Sequence, residues 1–164
     1  WAADEGACRA MLQTVPGIVS QLQEQDQKLL AHAAHLRRDD AFKLMLSLGF
    51  DVNATGLDGG TALHQLAWTG ASDLVELALK TGKCELDRRD PTHGSTPLSW
   101  AAHGSVHCRH PNGDYPRTVE ILLRAGARVD VPANSSGTTM TNQAEGNPAV
   151  QQVIEKFIQE RRIK

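Results

Sequence analysis

The feature that most constrains the fold of this chain is a period, because five short apolar runs recur at nearly equal spacing. The runs end at Leu12, Leu46, Leu79, Leu123 and Ile154, so that successive intervals are 34, 33, 44 and 31 residues. A fixed period of this size indicates stacked repeats, in which each unit buries its apolar face only against its neighbours. The long interval indicates an insertion between the third and fourth runs.

Residues that end and begin helices recur with the same period. Gly82 and Gly126 each follow an apolar run and precede a short extended stretch, which suits a left-handed helix C-cap. Thr61 and Thr96 precede the next helical segments, and Pro97 occupies the position where proline favours a helix start. Each unit is therefore predicted to contain a helix, a tight turn, a second helix and a hairpin-like finger.

Two of these helix starts resemble ankyrin repeats. The stretches TALH at 61–64 and TPLS at 96–99 are similar to the T-P-L-H-x-A motif of that family, whose period is about 33 residues. The stretch RDPTHGSTPLSWAAHGS at 89–105 is also similar to ankyrin proteins found in bacteria. Ser99 stands where the family usually has a histidine that ties the helix start to neighbouring backbone. We therefore expect the turn at Thr96 to be held less tightly.

The resemblance implies an all-α ankyrin-repeat solenoid that forms a single domain over residues 1–164. Its predicted units are a truncated N-terminal repeat at 1–19, repeats at 20–54, 55–88 and 89–131, and a C-terminal capping repeat at 132–164.

The insertion lies in the unit at 89–131. Residues 103–118 separate its two predicted helices, about twice the usual length, so the insertion is about nine residues long, near 105–113. Pro111 and Pro116, with the Asn-Gly pair between them, are strong turn-forming residues. This segment is predicted to be a loop that joins the two helices.

Three histidines and a cysteine lie close together in and beside this insertion. His103, His107, Cys108 and His110 are residue types that bind zinc or transfer protons. Their pattern matches none of the standard structural zinc motifs, and only His93 on the neighbouring finger could add a donor. A cysteine–histidine nucleophile pair would also need an oxyanion hole and an orienting group. We expect a loop that holds no metal or cofactor and has no catalytic role.

Composition narrows the class of function further. The formal net charge of -2 gives no attraction to nucleic acid or to an anionic membrane. No run approaches the roughly 18 apolar residues of a membrane span. Cys8, Cys84 and Cys108 form no Cys-x-x-Cys pair, which favours a reducing compartment and predicts a cytoplasmic protein. The sequence holds no glycine-rich phosphate loop, G-x-S-x-G or H-E-x-x-H motif.

The resemblance also implies a binding surface, because ankyrin repeats grip partner proteins with their fingers and the exposed side of their inner helices. Trp68 is the most informative residue of this surface, since tryptophan is enriched at interface hot spots. It could instead fold against the insertion of the next unit, and Tyr115 could contact a partner or anchor the loop. The expected contact residues are His35, Leu36, Leu57, Asp58, Trp68, Thr69, Thr92, His93, Ser95, His103, Arg109, Asn112, Asp114 and Tyr115.

Other apolar residues are expected to pack. Trp100 takes the place of a packing leucine, and Cys84 is expected to be a buried, unreactive thiol. The predicted core stripe is Leu44, Leu46, Leu77, Leu79, Ile121 and Leu122.

The leading hypothesis for function is a non-catalytic, monomeric scaffold that binds another protein. One alternative is a regulatory or metal-responsive module of a larger enzyme, which would use the histidine loop. A second alternative is a small-molecule site between Trp68, His93 and Trp100.

Overall fold

The computed structural model describes residues 6, 7, 10, 14, 17–56 and 59–162, and these residues form helices without any strand. A 3-10 turn at Ile18–Gln21 precedes the α-helices. The helices are α1 (Glu24–Gln27), α2 (Leu29–His35), α3 (Asp39–Ser47), α4 (Ala62–Trp68), α5 (Ser72–Leu79), α6 (Pro97–His107), α7 (Tyr115–Ala125), α8 (Met140–Gln143) and α9 (Pro148–Arg162). The all-α prediction is confirmed, while most of the truncated repeat expected at 1–19 lies outside the described residues.

The helices stack in two layers in chain order. The inner layer is α2, α4, α6 and α8, and each member packs against the next. The outer layer is α3, α5, α7 and α9, which also pack in succession and cover the inner helices. Each outer helix continues into a finger that leads to the next inner helix, so the fingers lie side by side along one edge of the stack.

The predicted caps are present at these helix ends. Thr96 precedes α6, its Oγ1 accepts a hydrogen bond from the Ser99 N–H at 3.3 Å, and Pro97 is the first helical residue. Gly126 ends α7 with a φ of 108°, in the left-handed region that favours glycine. The terminal helix α9 begins at Pro148, where the Asn-Pro pair of the sequence predicts it.

The core differs in part from the predicted stripe. Leu122 is fully buried as predicted, and Val119 and Leu123 on the same helix are buried with it. The remaining members of the stripe are only half-buried: Leu44, Leu46, Leu77, Leu79 and Ile121. Residues two apart lie roughly 200° apart around a helix, so Leu77 and Leu79 cannot share one buried face. The buried face instead follows the three- and four-residue spacing of an amphipathic helix.

The insertion is only partly a loop, which corrects the sequence prediction. Helix α6 has 11 residues where its counterpart α4 has 7, so Ser105 and His107 continue the helix and the loop comprises 108–114. Gly104 lets the longer α6 pack closely against the end of α4, because a Cβ there would collide with the backbone carbonyl of Trp68. The insertion therefore extends a packed helix before the chain turns.

The loop after α6 is bonded to the preceding unit. The Asp114 N–H donates to the Gly70 carbonyl at 2.9 Å, and the Tyr115 hydroxyl donates to the Trp68 carbonyl at 3.1 Å. The same hydroxyl accepts from the His110 N–H at 3.0 Å. On the other side, the Asn147 amide donates to the Ser105 carbonyl at 3.3 Å. The insertion thus braces the units on both sides of its own.

Candidate functional site

A groove of about 530 Å³ runs between the inner helices and two neighbouring fingers. Its floor comes from α2, α4, α6 and α8, and its rim comes from the fingers at 92–95 and 134–136. The described lining residues are His35, Gln65, Trp68, Thr92, His93, Ser95, Trp100, His103, Asn134, Ser135, Ser136 and Gln143. A concave surface of this kind presents aromatic rings and short polar groups together.

A row of aromatic rings forms one wall of this groove. Trp68 meets the Trp100 ring edge to face, with centroids 6.2 Å apart and planes at 74°. On the other side, Trp68 lies 5.8 Å from the His103 ring, which lies 4.1 Å from the His107 ring. Edge-to-face and tilted contacts of this length are favourable for aromatic side chains. The side chain of Trp68 is consequently held by α6, while part of it stays open to the groove.

The indole of Trp100 is held by the carboxylate of Asp90, a residue that was not predicted to contribute to the site. The buried Asp90 accepts a hydrogen bond from the Trp100 indole N–H at 3.0 Å. It also accepts from the backbone N–H groups of Thr92 at 2.9 Å, His93 at 2.6 Å and Ser95 at 3.0 Å. Burial by itself would raise the pKa of Asp90, but these hydrogen bonds and the neighbouring His93 hold the pKa below its ordinary value. Asp90 is therefore ionised, and its carboxylate stabilises the turn of the finger through these hydrogen bonds.

His64 joins this finger to the preceding unit. Its Nδ1 accepts the Thr61 N–H at 3.1 Å, and its Nε2 bonds the Ser95 carbonyl at 3.2 Å. Burial lowers the pKa of His64 to about 4, and its hydrogen bonds to backbone only partly oppose this shift. The ring is therefore neutral near pH 7, with its proton on Nε2. This histidine has a structural role and does not face the groove.

The expected contact residues divide into four sets. Those that line the groove with side chains open to it are His35, Trp68, Thr92, His93 and His103. Those that are exposed elsewhere are Leu36, Arg109, Asn112 and Asp114. Leu57 and Asp58 lie outside the described residues. The loop residues stand apart from the groove because the loop leans on Gly70, so the structure does not bring them together with the fingers.

Three further expected contact residues are buried, which corrects the prediction that they face a partner. Thr69 Oγ1 donates to the Gln65 carbonyl at 3.1 Å, as a back-bonded residue at a helix end does. Ser95 lines the groove, but the residue is only 4% exposed and its backbone N–H donates to the Asp90 carboxylate. Tyr115 is 5% exposed, and its hydroxyl is engaged on both sides. Of the two roles weighed for Tyr115, the structure shows the anchor.

Several groove residues were missed by the sequence reasoning. Gln65 bonds His35 at 2.9 Å, and the polar rim from the last unit comprises Asn134, Ser135, Ser136 and Gln143. The rim could not be anticipated because the last unit has a shortened, polar inner helix. Asp90 could have been found, since an aspartate before Pro-Thr-x-Gly is typical of a turn capped by its own side chain.

The histidine and cysteine side chains do not assemble into a metal site within the described part of the chain. No group of three or more His, Cys, Asp or Glu side chains converges there. Cys84 and Cys108 are free thiols, and burial raises the pKa of Cys84, which keeps it protonated. Helices α1 to α9 include none that is long and apolar enough to cross a membrane.

The fold and the groove define a class, helical repeat proteins with a concave face. The match to known proteins is more specific. A family model described as ankyrin repeats, in 3 copies, matches residues 30–133. The chain belongs to the ankyrin-repeat family, as its motifs indicated. It is also 36% identical over 73 residues to Protein PhlB of Serratia liquefaciens. That match covers 44% of this chain and 32% of PhlB, so the chain corresponds to about a third of that bacterial relative.

Proposed function

We propose that this domain is a non-catalytic docking module that binds a segment of another protein along the groove. Ankyrin repeats are generally protein-interaction modules. The observation that carries the proposal is Trp68, whose ring is packed on Trp100 and His103 yet remains part of the groove wall. A rigidly held tryptophan offers a large contact area with little loss of side-chain entropy on binding.

The polar surroundings of Trp68 support a protein partner. Side-chain amides and hydroxyls from two fingers stand around the rings, which is the arrangement of an interface with an apolar centre and a polar rim. A peptide backbone entering the groove would meet donors and acceptors along its length. Exposed side chains of the insertion, such as Arg109 and Asn112, lie outside the groove and would serve a larger partner as secondary contacts.

The chemistry of the groove supports a role without catalysis. Asp90, the carboxylate beneath the groove, has its oxygens engaged by three backbone N–H groups and the Trp100 indole. It is therefore committed to structure and is not available as a general base. The free thiols of Cys84 and Cys108 support the further proposal that the protein is cytoplasmic. That it acts as a monomer remains a prediction from the sequence.

A small molecule is the second candidate for the groove. The volume of the groove lies within the range of about 300–1,000 Å³ that is typical of ligand sites. Trp68 and Trp100 would supply the apolar walls of such a site.

The test compares Trp68→Ala with a matched control. Leu29→Ala removes a large apolar side chain that is 46% exposed but does not line the groove. Proteins captured from lysate by the wild type are identified by quantitative mass spectrometry, made recombinantly, and titrated directly against each variant. We expect Trp68→Ala to weaken binding at least tenfold, by about 1.4 kcal/mol or more, and Leu29→Ala to leave it unchanged. Equal affinity for all three proteins would overturn the proposal, and a copurifying metabolite lost only in Trp68→Ala would favour the second candidate.

A further inference from the structure

Among the described residues that line the groove, only the histidines have side chains that can become charged near neutral pH. None of its 12 described residues is Asp, Glu, Lys or Arg, whereas His35, His93 and His103 are spread across its floor and rim. His107 stacks on His103 at 4.1 Å and adds a fourth imidazole beside the groove. A groove of this composition is uncharged when its imidazoles are neutral and becomes positive as they take up protons.

Few charges oppose that positive potential. The charged groups that act on His103 are His107 and His93, and both lower its pKa in addition to the larger effect of burial. The other charged groups and histidines on the inner helices and the two fingers are His32, His64, Lys83, Glu85, Asp87, Arg88, Arg89, Asp90, Arg128 and Asp130. The carboxylates of Glu85 and Asp130 are paired with Arg88 and Arg128, and that of Asp87 accepts the Arg128 N–H. His64 is buried and neutral, and Asp90 is enclosed under the finger with its oxygens engaged. Arg89 donates to the Gly94 and Pro132 carbonyls, so it adds positive charge to the rim.

The polar atoms of the groove are also suited to an anion. The rings of His93 and His103 each donate one N–H when neutral and can donate from both nitrogens once protonated. The Ser135 and Ser136 side chains bring further hydroxyl groups to the same rim. Beside them, the open part of Trp68 offers an apolar contact. The groove thus combines donors for a carboxylate with a platform for an adjacent apolar side chain.

We propose that the segment docked in this groove is acidic, with an Asp or Glu carboxylate bound by His93 and His103 and an apolar side chain placed on Trp68. The inference rests on the proposed docking function and adds the chemistry of the partner. Its consequence is that acidification strengthens binding. A carboxylate titrates near pH ~4 and is charged above that range, and its approach favours the protonated form of a neighbouring imidazole. Acidification toward pH ~6 therefore supplies the proton that the complex takes up.

The size of the effect follows from proton linkage. If complex formation draws one proton onto an imidazole, the affinity rises by up to about tenfold per pH unit in the range where the free ring is neutral. We expect binding about tenfold tighter near pH 6 than near pH 7.5. The dependence should flatten toward pH ~4, where a carboxylate begins to be neutralised.

A random-peptide display library panned on the full chain near pH 6 tests this inference. Enriched peptides are synthesised with a fluorophore and titrated against the wild type, Trp68→Ala, His93→Gln and His103→Gln at both pH values. His32→Gln is the matched control, because His32 is exposed on α2 but does not line the groove. Thermal melting checks that each variant is folded.

The expected result is enrichment of peptides with Asp or Glu next to an apolar residue, and tighter binding near pH 6. This pH dependence should be lost in His93→Gln and His103→Gln and kept in His32→Gln. Trp68-dependent peptides without acidic residues, or a pH dependence that survives both groove variants, would overturn the inference and leave the docking function standing. Absence of any Trp68-dependent peptide would count against both, as would sedimentation showing that a second copy fills the groove near pH 6.

Discussion

The units at 55–88 and 89–131 perform the same structural task with different chemistry. At 55–88, His64 accepts from Thr61 and bonds the Ser95 carbonyl of the next finger, so one buried side chain joins two units. At 89–131, Ser99 occupies the equivalent position, and its hydroxyl oxygen is buried without a hydrogen-bond partner. The Thr96 cap is therefore held by a backbone N–H alone. The weaker hold that the serine predicts is visible in the structure.

The connection between helices shows the opposite difference. After α4 the chain turns at once through Gly70, whose φ is 64°. After α6 it runs through the loop at 108–114. This longer connection is bonded to the unit before it through Tyr115, the first residue of α7, and to the last unit through the carbonyl of Ser105 at the end of α6. The unit at 89–131 thus lacks the histidine bridge, but its insertion bonds it to both neighbouring units. An array of this kind is stabilised by its neighbour interfaces, and the two units build those interfaces from different residues.

The largest expected effect comes from breaking the histidine bridge. His64→Ala removes the acceptor of the buried Thr61 N–H and one of the two donors to the Ser95 carbonyl, which keeps the Asp90 N–H at 3.0 Å. It also opens a cavity, so we expect the free energy of unfolding to fall by about 3–4 kcal/mol. Urea denaturation monitored by circular dichroism measures this change. A loss below about 1 kcal/mol would show that the bridge contributes little to the junction.

Acidification should destabilise the same junction in the wild-type protein, because it favours protonation of His64 in the unfolded chain. The pKa of His64 is about 4 in the folded chain and about 6.5 in the unfolded chain, so above pH ~6.5 the ring is neutral in both states. As the pH falls from about 6.5 to 4, only the unfolded state takes up the proton, and stability falls by up to about 3 kcal/mol. Denaturation at a series of pH values should give a smaller slope for His64→Gln in this window. Equal slopes would contradict the buried, neutral ring. Asp90 does not interfere, because its lowered pKa affects stability only at still lower pH.

The brace is tested by a smaller change. Tyr115→Phe removes the hydroxyl that bonds the His110 N–H and the Trp68 carbonyl, and it keeps the ring. We expect a loss of about 1–2 kcal/mol and faster hydrogen exchange at the amides of 108–114. If exchange in the loop is unchanged, then the hydroxyl does not hold the loop against the preceding unit.

The smallest effect is expected at Ser99. Because its hydroxyl oxygen has no partner, Ser99→Ala removes a buried polar atom and should change stability by less than about 0.5 kcal/mol, or raise it slightly. The control is Thr96→Ala, which loses the cap to the Ser99 N–H and should cost about 1 kcal/mol. A substantial loss in Ser99→Ala would mean that the hydroxyl is bonded after all and that the two junctions are alike.

The features of the two units that depend on short stretches of sequence could be predicted from the sequence. The Thr96 cap and the glycine at the end of α7 each follow from residues within one turn of each other, and the period follows from the recurrence of such short motifs along the chain. All three appear in the structure. The Ser99 departure could also be interpreted correctly, because the motif assigns one task to that position. The ankyrin fold was predicted from the resemblance that these elements carry, and the family match confirms it.

Contacts between units could not be predicted in the same way. The orientation of Trp68 depends on Trp100 and His103, which come more than 30 residues later. The insertion is rich in turn-forming residues, yet its first residues are helical because α6 gains packing against the backbone of α4. Within one unit, the turn that Asp90 caps was predictable from its local sequence, but its hydrogen bond to the Trp100 indole on α6 forms only in the folded unit.

The most direct test of the docking account is the response of the two groove tryptophans to a bound segment. In a 1H–15N spectrum, Trp68 and Trp100 give separate indole N–H signals that report opposite environments, because Trp68 is part of the open wall while the Trp100 indole is tied to Asp90. On titration with a segment identified by the capture or display experiment, the Trp68 signal should shift strongly and the Trp100 signal only slightly. An unmoved Trp68 signal in a saturated complex, with shifts confined to residues outside the groove, would contradict the account.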